Sequence, residues 1–111
     1  MFAFFKKLLG LPDSVSPAEA QALVKSGDAV LLDVRSAGER KAAHISGSLH
    51  IPLDELGAKA SSLPKNKTII CQCASGMRSA SASKQLAAAG YKTLNLSGGI
   101  GAWQGAGLPV K

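Results

Sequence analysis

Two apolar runs in this chain do not alternate with polar residues. AVLLDV, residues 29–34, and KTIICQ, residues 67–72, place hydrophobic side chains at successive positions. A strand with one face in water alternates apolar with polar, so runs of this kind require cover on both faces. Helical patterns supply that cover. SPAEAQALVKSG, residues 16–27, offers Ser16 as N-cap, Pro17 at the first helical position, Glu19 at the third and a stop at Gly27. SASASKQLAAAG, residues 79–90, reads as a strong helix ending at Gly90. ERKAAH reads as a short helix, and LDELGAKASSL as a helix weakened by Gly57. SLHI is a short strand closed by Pro52, and TLNLS is a last strand. GGIGAWQGAG reads as a glycine-rich turn with one helical turn around Trp103. Strands and helices that alternate across short connections predict an α/β fold, with a mostly parallel sheet and helices on both faces.

The 111 residues suffice for one domain, placed at residues 13–111, with residues 1–12 as a helical or frayed N-terminal segment. A 46% hydrophobic and 18% charged composition excludes a disordered chain. No apolar run reaches the roughly 20 residues that cross a bilayer. MFAFFKKLLG is interrupted by Lys6 and Lys7, so packing or fraying is preferred over membrane contact through residues 1–10. The net charge is +6, yet the lysines are scattered and no aromatic residues interleave with them. That pattern argues against nucleic acid and for a solvated surface, with long-range attraction of small anions as the second reading. Cys71 and Cys73 lie too close together to staple distant parts of a fold, which points to a reducing, cytoplasmic setting.

Ligands of parallel sheets bind at the carboxyl ends of the strands. Cys73 falls at that end of KTIICQ, at the head of CASGMRS. Ala74, Ser75 and Gly76 let the backbone curve and turn its N–H groups inward, and the helix beyond adds the positive end of its dipole. Such a cradle favours a thiolate, the nucleophilic form of cysteine. Arg78 is a cation near a helix N-terminus and needs an anion to offset it, either the thiolate or a bound oxyanion. Four residues separate Cys73 from Arg78, one fewer than in the loops of cysteine-based phosphatases. The smaller cradle suits the extra sulfur of a persulfide. Sulfur transfer also needs no general acid or base at the attacking step, and the loop holds neither histidine nor carboxylate. Cys71, inside an apolar strand, reads as a small core residue.

CASGMRS, together with LLDVRSAGERKAAHISGSLHIPL and LSGGIGAWQGAGLPV, resembles the rhodanese family, specifically its small single-domain sulfurtransferases. The three blocks keep the family's order and cover most of the chain. The resemblance implies a five-stranded sheet and a persulfide on catalytic Cys73. It implies that Ala74, Ser75, Gly76, Met77, Arg78 and Ser79 bind the substrate, through backbone amides and the Arg78 charge. It implies a small anionic donor such as thiosulfate, a cyanide or thiol acceptor, and no cofactor or metal beyond the covalently held sulfur. A non-catalytic sulfur carrier for a protein partner is the alternative, and a cysteine phosphatase or arsenate reductase ranks below it. Asp33, Arg35 and Glu39 are expected to form an ion-pair cluster that supports the loop. His44 is expected to be a satisfied histidine within the fold, and Trp103 to plug the core or rim the pocket.

Overall fold

The computed structural model describes residues 13–111. The readings of residues 1–12 and of their membrane contact lie outside the described residues. Five strands form one sheet: β1 (Ser14–Val15), β2 (Ala29–Asp33), β3 (Leu49–His50), β4 (Thr68–Gln72) and β5 (Thr93–Leu96). Their order is β1-β5-β4-β2-β3, and every pair is parallel. The long apolar runs therefore become the central strands β2 and β4, in register as Leu32 against Cys71 and Asp33 against Gln72.

Side chains of a strand point alternately to the two faces. Leu32, Val34, Ile69 and Cys71 pack on one face with Leu56, Leu63, Leu86 and Tyr91. Leu31, Ile70 and Leu96 pack on the other with Ala20, Ile45, Ile100 and Trp103. Trp103 is a core plug, and its Nε1–H donates to the Pro109 carbonyl at 3.0 Å. Burying a side chain such as Leu86 or Ile69 stabilises the fold by about 1.5–3 kcal/mol. No helix among the described residues is long and apolar enough to cross a membrane.

Helix α1 (Pro17–Lys25) begins as expected, with a capping box between Ser16 and Glu19. Helix α2 (Ala37–Ala42) starts earlier than ERKAAH suggests, because Ser36 and Glu39 form a second capping box. The LDELGAKASSL segment breaks into a 3₁₀ turn, the short helix α3 (Leu56–Lys59) and another 3₁₀ turn. Helix α4 (Met77–Ala88) also starts earlier than expected and takes Met77 and Arg78 into its first turn. Its buried residues Ser79, Ala82, Ser83 and Leu86 form one stripe at helical spacing. Small side chains there bring the helix close to β5, where Ser83 Oγ donates to the Leu94 carbonyl at 3.3 Å.

The glycine-rich segment is a correction. It forms a seven-residue helix, α5 (Gly99–Gly105), rather than a single turn. Glycine content lowers helix propensity, but tertiary contacts override it: Ile100 N–H donates to the Cys73 carbonyl at 2.9 Å. The two-residue β1 was not anticipated, since so short a strand leaves no periodicity.

Candidate active site

Cys73 follows the last residue of β4, and its peptide is held from two sides. Gln72 Nε2–H donates to the Cys73 carbonyl at 2.8 Å, and Ile100 N–H donates to the same oxygen. The chain then crosses the exposed residues Ala74 and Ser75 and turns at Gly76, whose φ of 115° lies in the left-handed region. That turn aims the Gly76 N–H at Cys73 Sγ, 3.0 Å away. Helix α4 starts at the next residue, so its positive end lies beside the sulfur.

Ser79 approaches the sulfur from the first turn of α4, with Oγ 3.4 Å from Cys73 Sγ. Its one proton has competing acceptors: Asn95 Oδ1 at 2.5 Å and the Gly76 carbonyl at 3.2 Å. Asn95 Nδ2–H also donates to the Gly76 carbonyl at 3.1 Å, tying β5 to the turn. A neutral sulfur competes poorly for that hydroxyl, and a charged one competes well. Burial alone would push the Cys73 thiol up. The Ser79 hydroxyl and the amides of Ser79, Gly76 and Ser75 outweigh it, so the pKa lies below the usual 9.0. A lowered thiol pKa raises the thiolate fraction at neutral pH. Ser79→Ala removes the first of the lowering contacts and should move the midpoint of Cys73 alkylation by iodoacetamide to higher pH. An unmoved midpoint would leave the amides alone responsible for the thiolate.

Arg78 also lies in that first turn, but an internal partner already offsets its charge. Its Nη1 and Nη2 donate to Glu39 Oε1 and Oε2 at 2.6 and 2.8 Å. This corrects two expectations. Neither the thiolate nor a bound anion is needed to neutralise Arg78, and Glu39 does not join Asp33 and Arg35. Consecutive helical residues point about 100° apart, so Glu39 faces α4 while its neighbour Arg40 turns to the sheet. Arg78 holds the Glu39 carboxyl down at about 2 against the usual 4.5.

The buried ion cluster is Asp33, Arg35 and Arg40. Asp33 Oδ2 accepts from Arg35 Nη2 at 2.9 Å and from Arg40 Nη1 at 3.4 Å. Arg35 also donates to the Ala43 carbonyl, and Arg40 donates to the Ser48 hydroxyl and carbonyl. The cluster fastens the β2–α2 corner that presents Glu39. It leaves Arg35, 5% exposed, no route to a ligand. His44 Nδ1 donates to the Arg40 carbonyl and His50 Nε2 to the Arg35 carbonyl, so one nitrogen of each ring is tied to the fold. Among the described residues no group of three or more metal-ligating side chains comes together.

The loop thus brings together Cys73, Gly76 and Ser79 around the sulfur. Met77, 82% exposed, points away from the core. Arg78 lines an open cavity of about 360 Å³ beside the loop, with Val34, Ser36, Pro52, Leu53 and Asp54. The sequence reading missed Asn95, whose signal was a lone polar residue inside TLNLS. It also missed Arg40 and the close approach of Gly99 to the loop.

Cys71 sits on the same face as Cys73, and both thiols are free. Burial pushes the Cys71 thiol up to about 11, with partial offset from Ser83 and a further push from Cys73. A thiol of that pKa is a poor nucleophile. Cys71→Ala should leave the alkylation of Cys73 by iodoacetamide nearly unchanged and cost about 1 kcal/mol in chemical denaturation. A folded variant whose Cys73 no longer reacts would make the two cysteines one redox site.

The family model for a rhodanese-like domain matches residues 16–106. A sulfurtransferase of Allochromatium vinosum is 35% identical over 86% of this chain and 90% of its own length. A thiosulfate sulfurtransferase of Coxiella burnetii is 32% identical over 81% of this chain and 85% of its own. The crystal structure of a rhodanese-related protein from Thermoplasma volcanium superposes with a TM-score of 0.83 at 33% identity. That match covers 89% of this chain and 97% of the other.

Proposed function

This chain belongs to the rhodanese-like family, and from that premise we propose that it transfers sulfane sulfur through a persulfide on Cys73. The observation that carries the reading is the sulfur held between the Gly76 N–H and the Ser79 hydroxyl, at the positive end of α4. The Cys73 thiolate attacks the outer sulfur of thiosulfate. An S–S bond forms to Cys73, the bond to the sulfonate sulfur breaks, and sulfite leaves with the electron pair. Cyanide or a thiolate then takes the outer sulfur, which returns the Cys73 thiolate and yields thiocyanate or a new persulfide.

Neither step needs a proton moved by the protein, which suits a sulfur whose hydrogen-bond partners are an N–H and an O–H donor. Backbone amides at the turn hold the negative outer sulfur, and the N–H groups of Arg78 not taken by Glu39 can meet the donor's oxygens. The free thiols suit a reducing, cytoplasmic setting. Intact-mass spectrometry tests the reading: incubation with thiosulfate should add about 32 Da at Cys73, and cyanide should remove it with release of thiocyanate. Loading without repeated turnover would identify a sulfur carrier instead. No loading from thiosulfate would overturn the proposal.

A further inference from the structure

We propose that Glu39 sets the donor preference of the Cys73 loop by competing with the donor's oxyanion for Arg78. The inference rests on the proposed sulfur transfer and adds a residue that the chemistry itself does not need. Among the described residues that line the cavity beside the loop, Arg78 is the one cation and Asp54 the one carboxylate. The Arg78 fork is already occupied, since both oxygens of Glu39 accept from it at 2.6 and 2.8 Å.

Glu39 is also anchored from behind. Its Oε1 accepts from the Ser36 N–H at 3.2 Å and from the Ser36 hydroxyl at 3.1 Å, which closes the capping box of α2. Both partners of the ion pair are partly open, with Arg78 and Glu39 side chains 41% and 36% exposed, so an anion in solution can reach them. An entering oxyanion must therefore displace a tethered carboxylate or settle for the remaining N–H groups. It does so against the charges of Glu39 and Asp54. The penalty grows with donor charge, so the dianion thiosulfate meets more of it than a monoanionic thiosulfonate.

Glu39→Gln isolates the effect. Glutamine removes the charge but still serves at this position of a capping box. The thiosulfate concentration for half-maximal loading of Cys73, read by intact mass, should fall about fivefold, the size of an exposed ion pair. The loading rate at saturation should stay within about twofold. Methanethiosulfonate, which carries one charge, should gain less. In an Arg78→Ala background the same substitution should give a smaller gain for thiosulfate, since only direct repulsion by the Glu39 charge is then relieved.

An unchanged half-saturation for thiosulfate would overturn the inference. So would an equal gain for both donors, or a gain undiminished by the loss of Arg78. A drop in the saturating rate alone would also overturn it, since that would make Glu39 a structural support of the loop. Failure of the parent protein to load from thiosulfate would instead overturn the proposed function.

Discussion

Cys73→Ser is expected to take up no sulfur from thiosulfate and to form no thiocyanate. The substitution changes one atom, and the loop keeps its partners: the Gly76 N–H and Ser79 hydroxyl can meet an oxygen as they meet the sulfur. The turn at Gly76 and the ties from Gln72 and Ile100 to the Cys73 carbonyl do not involve the side chain at all. What disappears is the thiolate. A serine hydroxyl beside the same donors stays protonated, and among the described residues no histidine or carboxylate hydrogen-bonds to this side chain to take its proton. The loss should therefore be complete rather than partial, with thermal unfolding close to that of the parent. A folded Cys73→Ser protein that still gains about 32 Da or still turns over would place the chemistry elsewhere.

Gly99→Ala should damage both the fold and the site. A Cβ at this position would lie 2.3 Å from the Cys73 carbonyl oxygen and 2.6 Å from the Ala74 carbonyl oxygen. These are backbone atoms, and the first also receives hydrogen bonds from Gln72 and Ile100. The backbone at Gly99 has a φ of 60°, which adds strain for any L side chain. Relief requires α5 to withdraw from the loop, breaking the Ile100 tie and uncovering Ile100 and Trp103. The expected loss is on the order of 3 kcal/mol or more, with Cys73 loading reduced at least as strongly.

Gly107→Ala separates the two causes. Its φ of 76° imposes similar strain, but a Cβ there meets nothing within 4 Å. Its cost should stay near 1 kcal/mol, with Cys73 untouched. Equal urea-denaturation midpoints for the two variants would show that the close contact with the loop has no energetic weight, leaving conformational strain as the whole effect.

The central strands were legible because an unbroken apolar run has one physical explanation, burial on both faces. Ala29–Asp33 and Thr68–Gln72 accordingly fall within the runs read as strands. The start of α1 was legible because Ser16, Pro17 and Glu19 act on their own backbone neighbourhood. The glycine-rich closing helix was not legible from propensity, since its backbone is held by hydrogen bonds to a loop 27 residues earlier in the chain, Ile100 to Cys73 and Gly101 to Ala74. The same limit hid the two-residue β1, whose only evidence of strand character is its pairing with β5.

At the site, the sequence by itself determined the reactive group and its local cradle. Cys73 follows an apolar strand, small residues and Gly76 follow it, and a helix follows them, so the chemistry of that loop is written within a few consecutive residues. Only the tertiary structure decided which partners the loop residues take. Asn95 reaches Ser79 and Gly76 from β5. Glu39 reaches Arg78 from α2, although its position in sequence lies closer to Asp33 and Arg35. The physical reason is that side-chain direction on a helix or strand follows local periodicity, which a sequence displays. The identity of the group it meets depends on which elements the fold packs together, and that requires the register of the whole sheet.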